Sequence, residues 1–141
     1  APYVFTVGTS PATNEISIDY VAYCFAAIPA YSAMGSFLGN GSADGPFVYT
    51  GFKPAFVLVK NSSAAWNWII WDSERNTYNQ ADNVLQPNNS DAEYISSSFM
   101  SIDILSNGFK LRTSDSQENG SGNTLIYAAF AENPFKYALA R

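Results

Sequence analysis

One short segment, residues 66–79, concentrates the side chains of this sequence that could recognise or cleave a ligand. If residues 66–72 form a strand, Trp66 and Trp68 lie on one face of it, because side chains alternate along a strand. An open tryptophan face is a platform for stacking on a sugar ring, and the polar residues that follow could bond to sugar hydroxyls. The candidate glycan-binding residues are Trp66, Trp68, Asp72, Arg75 and Tyr78.

The same segment also has a purely structural interpretation. Asn67, Ile69 and Trp71 share the opposite face of the predicted strand, so both of its faces carry apolar residues. Apolar residues on both faces are typical of a strand that is covered on both sides. In that case one face lies in the core and the other lies under a loop or a neighbouring subunit.

Asp72 and Glu74 raise the question of a glycosidase. In an extended strand they face the same way about 7 Å apart, a spacing compatible with a general acid and a general base. A hydrolase pair usually comes from separate strands across a cleft, however, and Arg75 offers a salt-bridge partner close by. The sequence therefore predicts structural pairing here, with no catalytic residues and no enzyme.

Metal and cofactor chemistry has little support in the residue types. Histidine is absent, which excludes Ser-His and Cys-His nucleophiles and removes the commonest zinc and copper ligand. Cys24 is the single cysteine, and we expect it to be buried in an apolar strand. Residues 115–120 resemble the opening of a calcium loop, but Ile126 stands where the distal acid belongs. They are predicted to form a solvated turn, with no metal and no cofactor.

Charge and composition exclude two classes of partner. The net charge is −5 and the seven basic residues are scattered, so the sequence offers no positive stripe for nucleic acid. The longest apolar stretch, residues 20–31, contains Pro29 and is too short to span a bilayer. Only 13% of the residues are charged and 47% are hydrophobic, so some apolar surface should be buried against partners. We expect a homo-oligomer, with a trimer as one arrangement.

Runs of alternating apolar and polar residues, bounded by Gly, Asn, Ser and Pro, dominate the chain, and helical spacing is not evident. The sequence therefore predicts an all-β protein, an antiparallel two-sheet β-sandwich of jelly-roll or concanavalin-like type. The predicted strands cover residues 3–7, 16–26, 47–51, 55–60, 66–72, 94–99, 101–105, 108–113 and 124–131.

Turn signals complete this outline. Asn107 and Gly108 stand between two alternating runs and predict a tight hairpin whose turn uses positive φ angles. Residues 35–46 are rich in Gly and Ser and predict a loop with turns. Residues 73–92 are polar and without period, so they predict a long surface excursion with a short helical turn at residues 91–93. Excursions of this length are often functional.

The two ends of the chain carry variants of one segment. Residues 5–29 and 109–134 both end in an aromatic strand followed by the pattern Phe-Ala-x-x-Pro. Repeats at such a distance are whole domains, so residues 35–141 are predicted to be a complete β-sandwich domain. Residues 1–34 are then either the last strands of a preceding, similar repeat or an added edge segment. An edge so apolar must join the sheet or pair with another chain.

Several strings along the chain resemble a family of virion proteins from tailed bacteriophages. They are YCFA at residues 23–26, GSFLGNGS at 35–42, DGPFVYTGFKPA at 44–55, SNGFK at 106–110 and AFAENPF at 129–135. The resemblance covers nearly the whole chain, in the family's order. It implies a tandem, concanavalin-like domain of a tail fibre, tailspike or other exposed virion protein, and it assigns no catalytic or binding positions.

The expected function is therefore that of a structural module on the exterior of the phage particle. It would bind itself and other virion proteins and contact host-surface glycans. One alternative is a capsid decoration protein that binds no ligand. A second alternative is a carbohydrate-active enzyme.

Overall fold

The structure is a computed structural model that describes residues 4–134 of the chain. Within that range it holds seven β-strands and two helical turns of four residues each. In chain order they are α1 (Pro11–Asn14), β1 (Ser32–Leu38), β2 (Phe47–Tyr49), β3 (Pro54–Asn61), β4 (Trp68–Asp72), β5 (Ile102–Leu105), β6 (Gly108–Leu111), α2 (Ser116–Asn119) and β7 (Thr124–Ala131). None of the helices in this range is long and apolar enough to cross a membrane.

The strands form two antiparallel sheets that pack against each other. The four-stranded sheet has the order β1-β7-β3-β4, and the three-stranded sheet has the order β2-β6-β5. Every pairing between named strands is antiparallel. The predicted all-β sandwich is confirmed.

The core lies between the two sheets because alternate residues of each strand point inwards. From the four-stranded sheet it receives Val57, Val59, Ile69, Trp71, Leu125 and Ala129, and from the three-stranded sheet Val48, Ile102, Ile104, Phe109 and Leu111. Phe109 joins the sheets directly, because its ring packs edge-on against Phe37 of β1 and Tyr127 of β7, with centroids 6.1 and 5.6 Å away.

The predicted hairpin is confirmed, since β5 and β6 pair with Leu105 opposite Gly108. The predicted positive φ angles are wrong, because neither Asn107 nor Gly108 adopts one. Glycine is needed at position 108 for a different reason. A Cβ built there would lie 2.1 Å from the carbonyl oxygen of Val48 in β2, so the close approach of β2 to β6 excludes a side chain.

Two predicted strands and part of a third do not form. Residues 16–26 and 94–99 lie outside the strands, as do residues 4–7 of the first predicted strand, whose Tyr3 is outside the described residues. Conversely, β1 forms within a segment that we predicted partly as loop. It pairs with β7 along its whole length and places Phe37 against the core, so tertiary pairing overrides the weak propensity of its Gly and Ser residues.

The excursion at residues 73–92 is packed against the sandwich. Ala81 and Val84 are buried, and Ala81 makes an isolated bridge to Ile102 on the edge of β5. Leu85 makes a bridge to Ile70 on the edge of β4. The excursion thus covers one edge of each sheet. The helical turn predicted at residues 91–93 is absent from this range.

The turn predicted at residues 115–120 is helical rather than a solvated β-turn. The Asp115 carboxylate caps α2 by accepting a hydrogen bond of 2.8 Å from the amide of Gln117. Glu118 and Asn119 have no exposed surface. The prediction failed because the polar residue types of this segment gave no sign that Glu118 and Asn119 are buried.

Residues 4–28, which we call the arm, make few contacts with the sandwich. α1 buries no residue, and Cys24 is exposed rather than buried as predicted. Past the arm, a turn at residues 28–31 leads into β1, closed by a hydrogen bond of 3.0 Å from the Tyr31 amide to the Ile28 carbonyl. The predicted boundary between residues 34 and 35 stays a prediction, and it falls inside β1.

Candidate interaction surface on the four-stranded sheet

The side of the four-stranded sheet that faces away from the core is largely apolar, with the charged residues Lys60 and Asp72 near the ends of β3 and β4. We call it the outer face. The register aligns Leu58 with Ile70 on one side and with Ala128 on the other, and these three side chains point away from the core. Alternation places the following residues on the same face: Phe56, Trp68, Ile126 and Phe130. An aromatic and aliphatic surface of this kind is typical of an interaction site.

The outer face is concave where the arm crosses it. A hollow of about 410 Å³ lies there. It is lined by Tyr23, Phe25, Phe56, Trp68, Ile126 and Phe130, among others. The rings of Phe25 and Phe56 each meet that of Phe130 edge-on, with centroids 5.7 and 5.9 Å apart. The arm therefore supplies one wall of the hollow, and the sheet supplies the floor.

The two tryptophans of the predicted platform do not lie on one strand, because β4 begins at Trp68. Trp68 is half-buried and lies on the outer face, whereas Trp66 precedes the strand and is 44% exposed. The amide of Trp68 donates a hydrogen bond of 2.8 Å to Oδ1 of Asn88, and Nδ2 of Asn88 donates one of 2.8 Å to Oδ1 of Asn67. Trp68 also lines a second hollow of about 430 Å³ with Tyr23 and Asn88.

Asp72 and Arg75 form a structural unit at the other end of β4. Nε of Arg75 lies 2.5 Å from Oδ2 of Asp72, and its NH1 group lies 3.0 Å from Oε1 of Glu93. Burial acts to raise the pKa of Asp72, but hydrogen bonds from the amide and guanidinium of Arg75 and from the amide of Glu74 hold it below its usual value. The Asp72 carboxylate is thus kept ionised and is bonded to Arg75, as the structural interpretation of these residues predicts.

Tyr78 lies in the excursion and is 85% exposed. It lines a separate hollow of about 200 Å³ together with Lys53 and Ile104. Trp68 and Asp72 are four residues apart on one strand, a separation of about 13 Å. The five candidate residues therefore form two groups: Trp66 and Trp68 lie at one end of β4, and Asp72, Arg75 and Tyr78 at or beyond the other.

The sequence reasoning missed most of the residues that surround the hollow. Phe56 and Phe130 were placed in strands but were not recognised as candidates. The signal was present, because residues 55–60 and 124–131 are apolar at successive positions and not only at alternate ones. A strand of that kind presents apolar side chains on both faces. The contribution of Tyr23 and Phe25 depends on the path of the arm.

Acidic residues do not converge on a metal centre in the part of the chain that the structure describes. No group of three or more His, Cys, Asp or Glu side chains in residues 4–134 could hold an ion. Glu118 is buried with neither carboxyl oxygen hydrogen-bonded. Burial, reinforced by the nearby Asp115, raises the pKa of Glu118 to about 9, so this carboxyl group is protonated at neutral pH.

The fold and the surface together define a β-sandwich domain with an apolar outer face. Residues 1–134 match the model of a family described as a domain of unknown function, DUF7483, and the chain belongs to that family. Neither the curated proteins nor the solved structures contain a match to the chain.

Proposed function

We propose that this chain is a non-enzymatic structural module on the exterior of a tailed-bacteriophage particle, of the tail-fibre type. Its task is to assemble with copies of itself and with other virion proteins, and to contact host-surface glycans. The resemblance of its sequence strings to phage virion proteins supplies the setting. The apolar surface that the sandwich exposes, on both of its sheets, supplies the physical argument.

The observation that carries the proposal is the exposed apolar surface. Phe47, Tyr49, Leu38 and Trp66 are all between 44 and 66% exposed on the sandwich. Exposed apolar area of this extent favours burial against other subunits. Few charges compete with that burial, because only 19 of the 141 residues are charged.

Glycan contact is assigned to the Trp66 and Trp68 end of β4. The ring of Trp68 lines the second hollow together with Asn88, so a sugar could stack on this ring and bond to the remaining N–H of the Asn88 amide group. A shallow sugar site worth about 4 kcal/mol gives only a millimolar dissociation constant. Several sites on one particle raise the effective affinity by orders of magnitude, so binding would be multivalent.

Gold-labelled antibodies against the chain, applied to intact particles of a phage that encodes it, test the setting. We expect gold at the fibres or tail tip, in few copies per particle. Gold distributed over the whole capsid would overturn the tail assignment in favour of a decoration protein. If intact particles carry no label and denatured particles also lack the chain, the virion assignment itself is refuted.

A glycan array probed with the multimeric protein tests the sugar site. The variant Trp66→Ala/Trp68→Ala should lose at least tenfold in binding. Tyr78→Ala removes an aromatic ring that is 85% exposed and lies beyond the other end of the strand, and this variant should bind like the parent. Equal loss in both variants, or glycan binding untouched by either, would overturn the assignment of the site.

A further inference from the structure

We propose that the arm of one protomer binds a second copy of this chain by adding a β-strand to the free edge of β1. The inference rests on the proposed role as an assembly subunit and names the partner and the contact. It is carried by three independent observations: the exposure of the arm, the likeness of its sequence to β7, and the open edge of β1.

The arm exposes ten large apolar side chains along residues 4–28. Between 42 and 91% of each is exposed. They are Val4, Phe5, Val7, Ile16, Ile18, Tyr20, Val21, Tyr23, Phe25 and Ile28. Only two charged residues, Glu15 and Asp19, accompany them. A segment of this composition is stabilised by burial, and its own sandwich covers only part of it.

The end of the arm resembles in sequence the strand that pairs with β1, with Phe and Ala as its last two residues in both. Residues 19–26 read DYVAYCFA and align without a gap with β7, which reads TLIYAAFA. β7 is the antiparallel partner of β1 from Ser32 opposite Phe130 to Leu38 opposite Thr124. Apolar residues at successive positions suit such a segment for a place in a sheet that is covered on both faces.

The edge of β1 that points away from β7 is open. The amide of Ala131 donates to the carbonyl of Tyr31, so odd-numbered residues of β1 bond to β7 and even-numbered residues point outwards. Ser32 uses its outward groups to pair with Ile28. The outward groups of Met34, Ser36 and Leu38 have no strand beside them among the described residues.

The other edge of the same sheet, β4, is partly paired, so β1 is the open edge. Leu85 pairs with Ile70 across the outer edge of β4. An exposed edge with unpaired backbone groups is a template for strand addition. β1 is seven residues long and carries no charge, so none of the usual deterrents to pairing is present in it.

The arm of the same chain is directed elsewhere. Its Phe25 ring packs on Phe130, and its Tyr23 reaches the hollow beside Trp68, so the arm crosses the outer face and does not run along β1. The β1 edge of each protomer is therefore available to the arm of a neighbour. Because each protomer has one arm and one edge, copies can exchange arms or join into a ring.

The available area is sufficient for a stable interface. The four aromatic rings of the arm would each bury roughly 150–250 Å² if fully covered. Since they are already partly buried and six aliphatic side chains accompany them, the arm offers about the 800 Å² per partner of a standard interface. The backbone hydrogen bonds of strand addition would set the position of the arm on β1.

Disulfide trapping between two versions of the full chain tests the contact. The parent supplies Cys24 in the arm, and an isotope-labelled Cys24→Ser copy carries Met34→Cys, Ser36→Cys or Leu38→Cys in β1. After mild oxidation, mass spectrometry should find a mixed disulfide for at least one β1 position, at least tenfold above a control copy with Cys24→Ser/Tyr78→Cys. Only a contact between two chains can join labelled and unlabelled peptides.

Self-association measured by analytical ultracentrifugation provides the second readout. Val21→Asp changes a residue that is 80% exposed, and it should weaken association at least tenfold without changing the fold. An oligomer that forms normally with Val21→Asp and gives no mixed disulfide above the control would overturn the arm contact while leaving the assembly role intact. A monomer at about 100 µM would overturn both.

Discussion

The side chain of Asn119 joins α2 to a loop 79 residues away, because its Oδ1 accepts a hydrogen bond of 2.8 Å from the amide of Asn40. Its Nδ2 lies 2.9 Å from Oδ1 of Asn40, 2.8 Å from the carbonyl of Ser42 and 2.7 Å from that of Thr113. Asn119 has no exposed surface. One buried amide thus fixes the loop after β1 against the segment before β7.

Asn119→Ala should destabilise the domain by about 3 kcal/mol, because buried partners of the amide group lose their hydrogen bonds. Chemical unfolding measures the effect. Asn133→Ala is the matched control, since Asn133 is exposed, and it should change the free energy of unfolding by less than about 0.5 kcal/mol. Equal stability of the two variants would contradict the role of Asn119.

Glu118 should make stability depend on pH. Its pKa in the folded protein is about 9, against an ordinary value of 4.5. Below pH 4.5 both the folded and the unfolded states hold the proton. As pH rises from 4.5 towards 9, only the unfolded state releases it, so stability falls by about 1.4 kcal/mol per pH unit from this group. Above pH 9 the contribution levels off.

Glu118→Gln should remove this dependence, since an amide does not titrate. At pH 7 the variant should be more stable than the parent by about 3 kcal/mol, and near pH 4.5 the difference should vanish. Urea unfolding at pH 5, 7 and 8.5 measures the curve. Glu74 is exposed, and Glu74→Gln should leave it unchanged. Parallel pH curves for the parent and Glu118→Gln would refute the buried, protonated state.

Gly108→Ala should destabilise the sandwich by about 2 kcal/mol or more, because the added Cβ meets the Val48 carbonyl and the strands must separate. Gly8→Ala is the control, since a Cβ at Gly8 meets nothing within 4 Å. Thermal unfolding of both variants decides the matter. If Gly108→Ala melted at the parent temperature, the close approach of β2 to β6 would be wrong.

The sequence predicts strands well where alternation and turn residues agree. The runs around Asn107 and Gly108 and the apolar segments that became β3, β4 and β7 are of this kind. It predicts β1 poorly, because that strand is held by pairing with β7 and not by its own propensity. The opposite error occurs in the arm, where residues 16–26 have strand propensity but no strand beside them in the structure.

The surface was less predictable than the fold, because it is assembled from distant parts of the chain. The sequence identified Trp68, yet the hollow beside it also needs Phe130 from β7 and Tyr23 from the arm. Conversely, Asp72 and Arg75 are close in sequence to the tryptophans, but they form a salt bridge with each other. Because the candidate residues are close in sequence, they were predicted to form a single site. The extended strand β4 instead separates the residues at its two ends by about 13 Å.

The last prediction concerns Asp72, whose carboxylate accepts hydrogen bonds from the amides of Glu74 and Arg75 and from the guanidinium of Arg75. Asp72→Asn should therefore destabilise the fold by about 1–3 kcal/mol, since a charge-assisted bond to Arg75 is lost. Glu74→Gln should be neutral because Glu74 is exposed. Neither the parent nor either variant should release reducing ends from host polysaccharide. Release by the parent that Asp72→Asn or Glu74→Gln abolishes would establish a glycosidase and refute the structural role.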